Sequence, residues 1–98
     1  MRKVFQTPTF AKNKKRLHKN QIKELDGVIL EILKNPEIGE QKKGDLQGVY
    51  VYKCKITKKL YLVAYQFDEA TLTLLMVGSH ENFYRDLKKH PFMTSSPR

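Results

Sequence analysis

The sequence predicts an α+β domain of order β-α-α-β-β-β-α. Its sheet is expected to be twisted, mainly antiparallel and four-stranded, with an N-terminal helical hairpin packed on one face. Three observations predict this. Ile22, Leu25, Ile29 and Ile32 recur at helical spacing in the first half of the chain. The stretches 49–56, 60–67 and 71–77 are rich in Val, Tyr and Leu, which suit a pleated surface. The turns between those stretches are short, and short turns join antiparallel neighbours.

Taken in order, Val4-Phe5 marks a brief first strand within Arg2–Gln6. Thr7-Pro8 then opens a helix, Thr as the N-cap and Pro at the first helical position, where its missing N–H costs nothing. Phe10, Ala11 and Leu17 share one face of it, with Lys12, Lys15 and Arg16 turned elsewhere. Asn20 is the expected cap of the second helix, whose apolar stripe is supplemented by Val28 and Leu33. That helix stops near Asn35, because the residue before Pro36 is pushed out of the helical region. Glu37–Gly48 is polar and glycine-containing and reads as a loop. Lys58-Lys59 turns the chain between the second and third strands, and Asp68-Glu69-Ala70 between the third and fourth. Leu60–Phe67 is apolar on both faces, so it belongs in the middle of the sheet. Gly78 breaks the last strand, Ser79 caps a helix over His80–Lys89 with Phe83 and Leu87 inward, and Pro91 ends it. Residues 1–90 read as one domain and residues 91–98 as a flexible tail.

Nineteen Lys and Arg face ten Asp and Glu, a net charge of +9. Arg2, Lys3, Lys12, Lys14, Lys15, Arg16, Lys19 and Lys23 all precede the first acid, Glu24. Such a field favours a polyanion, either nucleic acid or an acidic protein. The lone Cys54 excludes an intrachain disulfide and has no metal-ligand spacing around it. No apolar run approaches the ~18 residues that span a bilayer, and the N-terminus lacks a signal-peptide pattern. A cytoplasmic protein without membrane contact, metal or cofactor is the expectation. A sequence-specific DNA-binding hairpin is disfavoured, because Glu24, Asp26 and Glu31 on its best helix would meet the phosphate backbone.

Three pieces of the sequence carry a family resemblance. The first is the basic hairpin ending in Asn35-Pro36-Glu37-Ile38-Gly39. The second is Lys43-Gly44-Asp45-Leu46-Gln47-Gly48, followed by Val49-Tyr50-Val51-Tyr52-Lys53. The third is a strand running into Gly78-Ser79-His80-Glu81-Asn82-Phe83-Tyr84-Arg85-Asp86-Leu87. In this order they resemble the RelE/ParE superfamily of type II toxin–antitoxin toxins. The resemblance implies a microbial-RNase-like fold and one of two targets: mRNA, cut on the ribosome by RelE-like members, or gyrase, poisoned by ParE-like members. It also implies a cognate acidic antitoxin in a toxin–antitoxin hetero-oligomer. Two positions depart from the RelE pattern. Tyr61 is followed by Leu62 where an arginine is common, and His80 stands where an arginine often does, as in a YafQ-like subgroup.

Cleaving RNA through its own 2′-hydroxyl requires a base, a cationic or hydrogen-bonding cradle for the crowded phosphate, and an acid for the leaving oxygen. With the resemblance, His80, Tyr84 and Lys53 are the catalytic candidates, since histidine titrates near neutrality and Tyr84 falls one helical turn after it. Lys55, Tyr50, Tyr52, Lys12, Lys15 and Arg16 are the candidates for RNA binding. Lys53 and Lys55 share one strand face and Tyr52 the other, so the lysines and the tyrosines serve one site only if a bulge intervenes.

Overall fold

A computed structural model of the chain describes residues 2–44, 47–81 and 83. Strand β1 (Lys3–Gln6) leads into helix α1 (Pro8–Lys15) and helix α2 (Lys19–Lys34). A single 3-10 turn, Pro36–Ile38, is followed by β2 (Glu40–Gln41), β3 (Tyr50–Ile56), β4 (Lys59–Phe67) and β5 (Thr71–Ser79). They form one five-stranded sheet in the order β1-β5-β4-β3-β2, with β4 central as its apolar faces require. All pairings are antiparallel except β1 with β5, which run parallel.

The sheet therefore has one strand more than expected. Glu40 and Gln41 pair with Val51 and Tyr50, and the Lys42 N–H adds a bond to the Val49 carbonyl at 2.9 Å. Both β2 residues are exposed, so this edge strand buries no side chain and leaves no apolar period in the sequence. Three boundaries also differ. Helix α2 is capped at His18 rather than Asn20: the His18 carbonyl accepts the Ile22 N–H at 2.9 Å, and the Gln21 side chain accepts the His18 N–H at 2.9 Å. The β3–β4 turn is centred on Thr57 and Lys58, both left-handed at φ 53° and 68°. Strand β5 runs through Gly78, expected to break it, to Ser79, and the two pair with Leu62 and Tyr61. Apart from His80, Glu81 and Phe83, the helix expected over His80–Lys89 and the tail 91–98 lie outside the described residues.

The core has a layer on each side of the sheet. On the hairpin side, Phe10 of α1 and Leu25 and Ile32 of α2 are fully buried against Ile56, Val63, Tyr65, Leu72, Leu74 and Val77. On the other side, Val49, Val51, Leu62, Ala64, Leu75, Met76 and Phe83 pack together. Burying aliphatic side chains on both faces of β4 and β5 supplies most of the stabilisation, about 1.5–3 kcal/mol per fully buried large side chain. The Thr7 hydroxyl accepts the Phe10 N–H at 3.1 Å as the N-cap of α1 and donates to the Leu75 carbonyl at 2.8 Å, which ties the helix start to β5.

Candidate functional site

Pairing register decides which side chains meet on the face away from the hairpin. In β3 the buried Val51 shares that face with the exposed Lys53 and Lys55. Lys53 stands opposite Leu62, and Leu62 opposite Gly78; one step along, Lys55 stands opposite Leu60. The His80 N–H donates to the Leu60 carbonyl at 3.2 Å, so His80 extends the β4–β5 ladder by one residue. Alternation then puts His80 on the same face as Gly78, Leu62 and the two lysines.

This outcome depends on an irregularity in β5. Tyr65 pairs with Leu74 but its neighbour Ala64 pairs with Met76, so Leu75 is an extra residue. Leu72 and Leu74 face the hairpin, whereas Leu75 and Met76 both join the opposite layer. The bulge thereby reverses the facing of every later β5 residue. Phe83 closes that end of the face: it is buried with Leu62 and Met76, and its ring is the nearest neighbour of the position a Gly78 Cβ would take, at 3.7 Å.

Lys53, Lys55 and His80 thus form an open, exposed row across β3, β4 and the end of β5. Two strand spacings separate Lys55 from His80, roughly 10 Å at the backbone, within reach of one anionic group held between the side chains. Tyr84 lies outside the described residues. Leu62, fully buried, occupies the row between Lys53 and Gly78, so the middle of this face is apolar rather than cationic.

The tyrosines are on the other side of the sheet. The Tyr50 ring stacks on Tyr65 with centroids 5.7 Å apart and touches Phe67 at 4.9 Å. The Tyr52 hydroxyl donates to Glu31 of α2 at 3.3 Å, and its pKa is raised by burial and by that carboxylate. Beside it, the Cys54 thiol reaches the Tyr61 carbonyl at 3.7 Å and is pushed up to about 11, first by burial and then by Glu31. The one bulge in the β4–β5 pair leaves β3 alternation intact, so it does not bring Tyr50 and Tyr52 round to Lys53 and Lys55.

Lys12, Lys15 and Arg16 are exposed on α1 and its C-terminal cap. The helix runs beside β5, where the Asn13 side chain accepts the Val77 N–H at 3.1 Å. Arg16 turns towards the ends of β4 and β5, whereas Lys12 and Lys15 do not share its cleft. Sequence reasoning missed Lys59 and Ser79, which line that cleft but had been spent on a turn and a helix cap. Among the described residues no three His, Cys, Asp or Glu side chains converge as metal ligands, and no helix is long and apolar enough to cross a membrane.

Comparison with known proteins accords with this architecture. The family model of the ParE-like toxin of type II bacterial toxin–antitoxin systems matches residues 4–88. A mutant of the E. coli toxin RelE in the free state superposes with a TM-score of 0.68 at 19% identity, over 89% of this chain and 92% of that one. The intact E. coli RelBE toxin–antitoxin complex gives 0.66 at 23% identity, over 83% and 99%. The YoeB/ParE toxin from Agrobacterium tumefaciens gives 0.63 at 18%, over 80% and 98%. At these identities the structural likeness speaks for the fold. The comparison with curated proteins found no match.

Proposed function

Since the chain belongs to the ParE-like toxins of type II bacterial toxin–antitoxin systems, we propose that it is a metal-independent endoribonuclease that cuts mRNA on the ribosome and so arrests translation. The observation that carries this reading is the register that aligns Lys53, Lys55 and His80 on one open face. His80 takes the proton of a ribose 2′-hydroxyl, and the 2′-oxygen attacks the adjacent phosphorus. The bond to the 5′-oxygen breaks, leaving a 2′,3′-cyclic phosphate and a 5′-hydroxyl that regains a proton from the imidazolium or from Tyr84. Lys53 and Lys55 neutralise the charge that builds on the phosphoryl oxygens. The exposed Lys12, Lys15 and Arg16 add sequence-independent attraction for RNA.

The expected partner is a cognate acidic antitoxin, for which a chain of net charge +9 is suited. A structure of the related RelE with its antitoxin is a precedent for such a hetero-oligomer. With a ribosomal target, the reading expects a cytoplasmic protein.

One observation favours a second reading, a non-enzymatic toxin that binds gyrase: the buried Leu62 fills the centre of the face where a cationic group would serve phosphate chemistry. The two readings separate on purified ribosomes carrying a defined mRNA. The first expects cleavage mapped by primer extension, reduced at least ~100-fold in His80→Ala, the scale of a lost proton-transfer group. Intact mRNA with inhibited supercoiling, unchanged in His80→Ala, would replace it with the second.

A further inference from the structure

Around the free edge of β5, beside the same strand ends, lies a second basic feature. A cleft of about 440 Å³ opens between the α1–α2 connection and the ends of β4 and β5. Arg16, His18 and Gln21 come from the connection, Lys59 and Tyr61 from β4, and Ser79 from β5. Among the described residues none that lines it is acidic, and neither Arg16 nor Lys59 enters an ion pair. The cleft's remaining walls include the buried Met76, Val77 and Phe83, so a charge entering it is only partly surrounded by water.

Its position follows from the edge of the sheet. Strand β1 ends at Gln6 opposite Leu74, so among the described residues β5 beyond that point has no strand beside it on this side. Asn13 takes over one edge amide, that of Val77, and Ser79 lies further along, half-buried in the cleft wall. Lys59 pairs with Ile56 and so faces the hairpin, whereas its neighbour Leu60 faces the other way beside His80. The end of the sheet therefore carries cations on both sides, joined through the adjacent pairs Lys59-Leu60 and Ser79-His80.

We infer that this cleft is a phosphate-binding site that holds a neighbouring phosphate of the RNA strand engaged by the Lys53–His80 face. The guanidinium of Arg16 suits bidentate capture of phosphate oxygens, Lys59 supplies a point charge, and the Ser79 hydroxyl a neutral donor. The nucleic-acid source of the phosphate rests on the ribonuclease reading; the anion site itself does not.

The test uses pyrophosphate and a 2′-O-methyl oligoribonucleotide, which has no hydroxyl to react. Titrating pyrophosphate into 15N-labelled protein should give saturable shifts at the amides of Lys59, Gly78 and Ser79. Those shifts should vanish in Arg16→Gln/Lys59→Gln and persist in the charge-preserving Arg16→Lys/Lys59→Arg. Shifts that never saturate, or that fall elsewhere, overturn the site. So does a response to polyglutamate but not to pyrophosphate, which would assign the cleft to an acidic protein. The Gln pair should also weaken oligonucleotide binding roughly tenfold at physiological salt and lower the salt slope by about 1.4, two contacts at about 0.7 each. Pyrophosphate binding with unchanged RNA affinity and slope would overturn the RNA source and leave a free-anion site. RNA binding that depends on the cleft pair but not on Lys53→Gln/Lys55→Gln would count against the ribonuclease face and leave the cleft standing.

Discussion

The Gly39 N–H donates to the Tyr65 hydroxyl at 3.0 Å, and a Cβ at Gly39 would stand 2.5 Å from that same oxygen. Tyr65, fully buried in the central strand, in turn donates to the Pro36 carbonyl at 2.6 Å. One phenol thus pins both ends of the 3-10 turn that carries the chain from α2 into the sheet. The run Asn35-Pro36-Glu37-Ile38-Gly39 has a physical reason here: Pro36 ends the helix, and only glycine admits the Tyr65 oxygen. Burial is the main cause pushing the Tyr65 hydroxyl up to about 12, against the Gly39 N–H, which favours the anion.

Tyr65→Phe is therefore expected to destabilise the fold by about 1–3 kcal/mol, because it strands a donor and an acceptor without filling or emptying space. Gly39→Ala should cost at least as much, since the new methyl displaces the phenol as well. Urea unfolding monitored by circular dichroism reads both as a lower midpoint at unchanged slope. A midpoint unaltered in Tyr65→Phe would mean the hydroxyl bonds contribute nothing.

The β3–β4 turn offers a stabilising change. Thr57 and Lys58 occupy a left-handed pair of positions that a two-residue hairpin normally gives to Asn-Gly, and a β-branched residue there is strained by about 1–3 kcal/mol. Glu24 of α2 offsets that strain by accepting the Thr57 N–H at 2.8 Å. Thr57→Asn with Lys58→Gly should raise stability by about 1 kcal/mol, and Glu24→Ala should lower it by about as much. The two changes should couple: the loss at Glu24 persists in the Asn-Gly background only as far as the carboxylate still holds residue 57. Thermal melts of the four proteins in a double-mutant cycle measure this.

Cys54 should be a poor nucleophile. With its thiol raised from the usual 9.0 to about 11, it holds about a hundredfold less thiolate at pH 8 than an ordinary cysteine, and only the thiolate reacts. Iodoacetamide labelling followed by mass spectrometry should show a rate that climbs towards a midpoint near 11. Glu31→Gln removes the smaller cause and should bring the midpoint part of the way down. The linkage has a fixed sign: folding favours the neutral thiol, so its contribution is complete below the unfolded pKa and fades as pH rises from there towards the folded value.

The helical hairpin was legible from its repeating contrast of apolar and polar positions, and the three long strands from their richness in Val, Tyr and Leu, with Leu60–Phe67 central because it is apolar on both faces. Strand β2 was not, since Glu40 and Gln41 form backbone bonds alone. The β3–β4 turn was misplaced by one residue because Thr57 has the composition of a strand. At the site, Lys53 and Lys55 could be assigned a common face from their spacing. Whether His80 joins that face could not be read: Leu74-Leu75-Met76-Val77 is apolar throughout and buried on both sides, so a bulge within it leaves no trace in the pattern. Lys59 and Ser79 escaped notice because a cleft between distant segments has no local signature.

Leu75 makes the site a matter of parity. His80 stands an even number of residues after the hairpin-facing Leu74, which plain alternation would keep on the hairpin side, and the extra residue turns it out beside the lysines. Deleting Leu75 would only straighten the strand, because Leu74 and Met76 would then follow one another opposite Tyr65 and Ala64, and Gly78 and His80 would keep their side. One residue added after Met76 would instead send His80 and Gly78 to the hairpin side and Ser79 out among the lysines. Such an insertion keeps every candidate side chain and is a more thorough disarming of this face than most substitutions within it.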